Sequence, residues 1–246
     1  MDLQTILIVT LALGAGGLVK GALGVGLPLV ALPVLTTAFG LQQAIGIMLV
    51  PIILTNAMQA RRYRASLRDP AMGFLRGFLL GGIAGIGLGT IALVTLPERL
   101  LEAGLGLMLL AYVALRMARP DFGISPPLAR KVAVPVGVAG GAVMGATGLV
   151  VSVGLTYINA MRMAREPTVF AASVMFLVYG VAQVSALTVA GVYRLEWLWL
   201  GLFAVLPVIA AMPLGEAVGR SMGAVLFDRI LIFLLAAIGA KMVLGL

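Results

Sequence analysis

Two residue types are missing from this 246-residue sequence, which contains no cysteine and no histidine. Without cysteine there is no disulfide and no thiol chemistry, and without either residue there is no thiolate or imidazole ligand for a metal. We therefore expect no metal centre and no cofactor. Charge is scarce too, because only 11% of the residues are charged, against about 25% in a soluble domain.

Carboxylates are few and lie only in or near predicted loops and helix ends. The nine are Asp2, Asp69, Glu98, Glu102, Asp121, Glu166, Glu196, Glu216 and Asp228. A proton relay of the usual Asp, Glu and His kind has no obvious members. Any coupling to protons would have to use a residue at a helix end, such as Glu102 or Glu216. The sequence also has no nucleophile–base pair and no phosphate-binding loop. We expect a protein that is not an enzyme.

Apolar residues dominate what remains, at 62% of the chain. They form segments of about 20 residues, the length that crosses a bilayer, and predict an all-α polytopic membrane protein. The net charge of +8 then reflects basic cytoplasmic loops rather than nucleic-acid binding. The predicted segments are 3–38 (interrupted near 20–28), 42–60, 71–96, 98–118, 132–161 (interrupted near 145–152), 167–191, 197–215 and 226–245.

Four basic islands predict the topology. They surround Arg64, Arg130, Arg162 and Arg220, and we place them on the cytoplasmic side. Segment 132–161 then begins and ends inside, so it must be a hairpin. By the same logic segment 3–38 is a hairpin that begins and ends outside.

A glycine-rich stretch occurs once in each hairpin. Residues 16–24 (GGLVKGALG) recur at 140–148 (GGAVMGATG), 124 residues later, and the two share six of nine positions. Gln59 and Gln183 match at the same offset, and the match of 97–100 with 227–230 at an offset of 130 implies about six extra residues near 215–223. We predict two inverted repeats, 1–120 and 132–246, each a broken helix pair plus three transmembrane helices, joined by a cytoplasmic linker at 121–131.

We interpret the two stretches as helix breaks that together form an anion site. Each break would expose backbone N–H groups and the positive end of a helix dipole. The alternative is that the glycines only permit close packing of helices. The predicted site residues of the breaks are Gly21, Gly24, Gly26 and Pro28 in the first and Gly145, Gly148 and Ser152, a possible N-cap, in the second.

Polar side chains on or near the breaks complete the predicted site. Lys20 would attract the anion, or else extend to the membrane surface. The amides of Asn56, Gln59 and Gln183 would donate to anion oxygens, or else bond neighbouring helices together. Weaker candidates are Thr55, Thr147, Thr156, Asn159, Ser173 and Tyr179.

The run from Gly17 to Leu35 (GLVKGALGVGLPLVALPVL), with its repeat at 141–156, resembles the glycine-rich block that opens each half of the TauE/SafE, or sulfite exporter, permeases. It departs from that block at Val25 and Leu27, where more glycine is usual. The resemblance implies a multi-pass protein of the bacterial inner membrane that transports sulfur-containing anions such as sulfite, sulfonates or sulfoacetate. The residues themselves indicate only a small anion.

The sequence therefore predicts a secondary transporter for a small anion, working by alternating access. An uncoupled anion channel or facilitator is the alternative within transport. A non-transporting membrane scaffold is the alternative outside it, but a scaffold has no need of matched glycine breaks. The expected partners are the anion and the lipid bilayer, with a homo-oligomer also open.

Overall fold

The computed structural model describes residues 3–24, 26–118, 123–221 and 224–244. Within these ranges the chain forms α-helices, short 3₁₀ and π turns, and no strand. This confirms the predicted all-α membrane class. The helices are α1 Leu3–Leu23, α2 Leu27–Phe39, α3 Leu41–Arg62, α4 Leu75–Thr95, α5 Glu98–Ala118, α6 Pro126–Thr147, α7 Thr156–Ala160, α8 Arg165–Val189, α9 Leu195–Ser221 and α10 Ala224–Leu244.

Two hairpins occupy the predicted places. In the first, a methyl group added at Gly16 of α1 would lie 2.8 Å from the Leu27 carbonyl oxygen of α2. In the second, one added at Gly140 of α6 would lie 3.6 Å from the Val150 and Val153 side chains. Each short second arm therefore folds back along the end of a long first arm.

The first arm of each hairpin is long enough to span the membrane. Helix α1 has 21 residues and α6 has 22, which at about 1.5 Å per residue reach roughly 30 Å, the thickness of the hydrocarbon core. Helix α2 has only 13 residues, too few to span. Each hairpin thus pairs one spanning arm with one short arm.

Six helical segments among the described residues are long and apolar enough to cross a membrane: Leu3–Leu23, Leu41–Arg62, Pro70–Thr95, Pro126–Thr147, Arg165–Val189 and Leu195–Arg220. The chain is therefore multi-pass. Helix α6 begins at Pro126 and therefore includes part of the predicted linker at 121–131, which stays a prediction. A proline suits the first turn of a helix, and it extends α6 back into the linker. Residues 121 and 122 lie outside the described residues.

The chain forms two compact units, and each takes helices from both halves of the sequence. Unit 1 comprises Met1–Pro51, Pro97–Ala114 and Tyr193–Leu246, and unit 2 comprises Ile52–Leu96 and Leu115–Val192. Within unit 1, glycines let α1 and α9 approach backbone to backbone. A methyl group at Gly17 would lie 2.7 Å from the Val208 carbonyl oxygen, and a methyl group at Gly21 would overlap the Met212 carbonyl oxygen.

Unit 2 is built around the same kind of contact between α4 and α6. A methyl group at Gly145 would lie 2.6 Å from the Ile86 carbonyl oxygen, and a methyl group at Gly141 would overlap the Gly82 carbonyl oxygen. The neighbouring aromatic cluster fixes α8, because the Tyr179 hydroxyl donates a 3.0 Å hydrogen bond to the Phe78 carbonyl. The core of this unit is thus held by both glycine contacts and buried rings.

Three backbone contacts of unit 1 recur in unit 2. The contacts of α1 with α9 are Gly17–Val208, Gly21–Met212 and Leu18–Gly215. The matching contacts of α6 with α4 are Gly141–Gly82, Gly145–Ile86 and Ala142–Gly89. The α6 residues follow those of α1 by 124 positions, and the α4 residues precede those of α9 by 126 positions. The same packing therefore occurs twice, with helices from opposite halves exchanged. The offset of 126 exceeds the offset of 124 by two residues. Two of the six extra residues that the sequence placed near 215–223 therefore lie before Val208. The inverted orientation of the repeats stays a prediction.

Candidate functional site

The first break lies between α1 and α2. Gly26 precedes α2 in a left-handed conformation, with φ of 106°, which a residue with a Cβ rarely adopts. The Gly26 carbonyl accepts a 3.0 Å hydrogen bond from the Leu29 N–H, and Pro28 has no N–H to offer. The donor left at the start of α2 is the N–H of Leu27, whose side chain is buried.

Lys20 lies in the last turn of α1, at the other edge of this break. Its side chain is only 2% exposed, which does not fit the alternative that it extends to the surface. The Gly24 N–H bonds to the Lys20 carbonyl at 2.7 Å, and Gly24 has φ of 79°. A buried ammonium at a helix C-terminus complements the negative end of the dipole.

The second break lies between α6 and the π turn at Val151–Leu155. Gly148 ends α6 with φ of 73°, and its N–H bonds to the Met144 carbonyl at 2.7 Å. The Val150 carbonyl accepts hydrogen bonds from the N–H groups of Val153 and Gly154, at 3.2 and 2.7 Å. The first turn of the segment 151–160 thus starts at the Val150 carbonyl, directly after α6 ends. Ser152 lies inside the π turn, and its role as an N-cap stays a prediction.

Gln183 of α8 reaches the end of α6. It is completely buried, and its Nε2 donates a 3.1 Å hydrogen bond to the Gly145 carbonyl. Its Oε1 is buried without a hydrogen-bond partner. The sequence predicted an amide donor here, but the donor is already used and the amide presents an acceptor.

Gln59 and Asn56 lie on the part of α3 that belongs to unit 2. Gln59 is partly exposed, and its Oε1 accepts a long 3.4 Å hydrogen bond from the Ser173 hydroxyl of α8. Asn56 is buried and donates at 2.8 Å to the Ile52 carbonyl of its own helix. Of these two amides, Gln59 is therefore the more accessible.

The sequence profile described as Sulfite exporter TauE/SafE matches residues 8–242, nearly the whole chain. The chain belongs to this family. Its members are membrane transporters, which agrees with the expectation that the protein is not an enzyme. No curated protein and no solved structure gave a match to the chain.

In this TauE/SafE chain the predicted site residues fall into two sets, one in each unit. The set in unit 1 consists of Lys20, Gly21, Gly24, Gly26 and Pro28; that in unit 2 consists of Asn56, Gln59, Gly145, Gly148, Ser152 and Gln183. Within unit 2 the structure brings Gln183 against Gly145. A meeting of the two breaks stays a prediction.

Thr90 of α4 is a buried polar residue that the sequence interpretation missed. It is 4% exposed, and its hydroxyl has no hydrogen-bond partner. Its backbone N–H lies against Gly145, since a methyl group there would be 2.9 Å from the Thr90 nitrogen. Because most threonines in membrane helices bond to their own backbone, no sequence signal marked this one.

Polar groups also converge at a cavity of about 600 Å³ in unit 1. Two carboxylates and two cations line it, so its net charge is close to zero. The Glu98 carboxylate also accepts a 3.0 Å hydrogen bond from the Leu41 N–H and so caps α3. The cavity is therefore a poorer anion site than the breaks. Its lining is Thr36, Thr37, Ala38, Gly40, Glu98, Arg99, Glu102, Lys241 and Met242.

Proposed function

We propose that the protein is a secondary transporter of small sulfur-containing anions in the bacterial inner membrane. Sulfite and sulfonates such as sulfoacetate are the expected substrates, because the family carries the description of a sulfite exporter. Alternating access would come from relative movement of the two inverted repeats. The observation that carries this proposal is the matched pair of helix breaks, at 24–26 and 148–150.

The breaks suit an anion because each begins a short helical segment inside an apolar chain. At the first break, the N–H of Leu27 has no carbonyl of a preceding turn to bond. At the second break, we expect the first N–H groups of the segment 151–160 to play the same part. Buried N–H groups nearly always find a partner, and oxyanion oxygens are suitable acceptors at a helix N-terminus. Lys20 would add a positive charge near the first break.

The side chains would select among anions. The amide of Gln59 is partly exposed, and the hydrogen bond that its Oε1 accepts from the Ser173 hydroxyl is long, at 3.4 Å. We expect its NH₂ group to donate to a sulfonate oxygen. A neutral amide binds such an oxygen without a permanent ion pair, which permits release. The Nε2 of Gln183 is committed to Gly145 and would position the break rather than contact the anion.

Uptake into proteoliposomes tests this proposal. Labelled sulfite, sulfoacetate and acetate are presented to the purified protein, with and without a pH gradient. We expect sulfur oxyanions to enter faster than acetate, and Gln59→Ala to slow entry at least tenfold while the melting temperature changes little. Ser185→Ala is the matched control, since its hydroxyl bonds only to the Val181 carbonyl of its own helix. Absence of any anion movement under every gradient would refute transport.

A further inference from the structure

Two residues that border the C-terminal part of α6 carry buried oxygen atoms for which the described structure provides no hydrogen-bond partner. The Oε1 of Gln183 and the Oγ1 of Thr90 both lack a hydrogen-bond partner. Both side chains are more than nine-tenths buried. Both residues border Gly145, one through the hydrogen bond to its carbonyl and the other through backbone contact.

The amide orientation of Gln183 is fixed by its neighbour. The Gly145 carbonyl can only accept a hydrogen bond, so the NH₂ group must face it. Exchanging the two ends of the amide would place oxygen against oxygen. The group that Gln183 leaves available is therefore an acceptor, and an acceptor requires a cation or a donor.

The end of a helix adds more oxygen of the same kind. The carbonyls of Ala146 and Thr147 lie in the last turn of α6, beyond which Gly148 turns the chain away. The last carbonyls of a helix lack intrahelical donors and carry the negative end of the dipole. In broken transmembrane helices, such ends are where coupling cations bind.

A comparison of the two breaks indicates what is missing at α6. In α1 the last turn carries Lys20, whose buried ammonium supplies a positive charge at the helix end. The corresponding residue of α6, 124 positions later, is Met144, which is buried and neutral, and the last turn of α6 has no basic residue. One break thus has a built-in cation and the other has neutral oxygens.

We propose that Gln183, Thr90 and the terminal carbonyls of α6 form a binding site for Na⁺. Neutral amide, hydroxyl and carbonyl oxygens suit a monovalent ion, which binds without leaving a residual charge on the protein. Na⁺ would then supply at the end of α6 the positive charge that Lys20 supplies at the end of α1. Its use as the driving ion rests on the proposed transport function, but its binding does not.

Na⁺ binding is measured on the purified protein without any anionic substrate. We expect NaCl to raise the melting temperature saturably, where equal concentrations of KCl and N-methylglucamine chloride do not. Thr90→Val keeps the shape of the side chain and removes the oxygen, so it should weaken the apparent Na⁺ affinity at least tenfold. Thr95→Val, on the same helix, is the matched control because its hydroxyl already bonds to the Ile91 carbonyl.

Met144→Lys provides the reciprocal test, because it places an ammonium where Na⁺ is proposed. This variant should melt at the same temperature with and without Na⁺. If it does not fold, Thr90→Val and Gln183→Met decide the question. Equal stabilisation by all three salts, or an unchanged Na⁺ affinity in Thr90→Val, would mean that the oxygens hold only a buried water and would overturn the proposal.

Failure of this proposal is distinguishable from failure of the transport function. Anion uptake that proceeds equally in Na⁺ and in N-methylglucamine, together with no Na⁺ binding, removes the cation site and leaves transport standing. Saturable Na⁺ binding with no anion movement leaves the site standing and removes transport. If anion uptake by the wild type requires Na⁺, and uptake by Met144→Lys does not, the result supports both the Na⁺ site and the transport function.

Discussion

Glycines of the repeated stretch meet two separate physical demands. Gly21 and Gly145 are helical, and each lies against a carbonyl of another helix, where a methyl group has no room. Gly24, Gly26 and Gly148 have φ between 73° and 106° and end or begin a helix. Packing and helix breaking were weighed as alternatives from the sequence, and the structure assigns each to different glycines of the same stretch.

Gly145→Ala tests the packing demand. The added methyl group would meet the backbone of Ile86 and Gly89, 2.6 and 2.9 Å away, and backbone cannot move aside as a flexible side chain can. We expect a loss of about 1–3 kcal/mol in the free energy of unfolding, measured as a lower melting temperature in detergent.

Gly87→Ala is the matched control for that substitution. Gly87 lies in α4, and no atom comes within 4 Å of a methyl group added there. Alanine should therefore leave the stability unchanged or raise it, by up to about 1 kcal/mol, through its better helix propensity. Equal losses in Gly145→Ala and Gly87→Ala would contradict the packing account.

At the scale of the helix, the lengths of the spanning helices were predictable because a helix that crosses the membrane must cover the hydrocarbon core with apolar residues. The α1–α2 break was predictable because glycine and Pro28 both disfavour an uninterrupted helix. The start of α6 was missed, since its first two turns, which include Arg130 and Lys131, precede the apolar run. Thr90 could not be found from the sequence because its unsatisfied hydroxyl depends on how α4 packs against α6.

Gly148→Ala tests the break as an element. An alanine at φ of 73° costs roughly 1–2 kcal/mol, and here the strain would also displace the start of the segment 151–160. We expect both the melting temperature and the rate of anion uptake to fall. Gly148→Asn should retain more of both, because asparagine tolerates this conformation.

The control for this element is Gly191→Ala. Gly191 also has φ of 73°, but it lies in the turn after α8 with no atom within 4 Å of an added methyl group. The same backbone strain should therefore lower its melting temperature and leave uptake at the wild-type rate. A matching loss of uptake in Gly191→Ala would show that strain alone, rather than the position of the break, accounts for the effect.

At the scale of the whole molecule, the repeated packing supports the internal duplication predicted from the glycine stretches. Helix α1 packs against α9 in unit 1 as α6 packs against α4 in unit 2, so each unit needs helices from both halves. Neither half of the sequence could complete such a unit alone. This exchange was not visible in the sequence, because a repeat offset shows which helices correspond but not which ones pack together.

Single cysteines test the membrane orientation, and the chain provides a clean background because it has none. Gln4 and Arg64 are both exposed, and the inverted topology places them on opposite sides of the membrane. We expect an impermeant maleimide applied to intact cells to label Gln4→Cys and not Arg64→Cys. Labelling of both from the same side would exclude the predicted orientation of the first half.

The central claim is that the chain is a carrier in which two matched helix breaks bind a small sulfur oxyanion. Counterflow tests it most directly, because it requires one site that is exposed to each side in turn. Proteoliposomes are loaded with unlabelled sulfite or sulfoacetate and diluted into a trace of the labelled anion. The account predicts transient accumulation of label above its external concentration, whereas simple equilibration, as a channel would give, or no entry at all would contradict it.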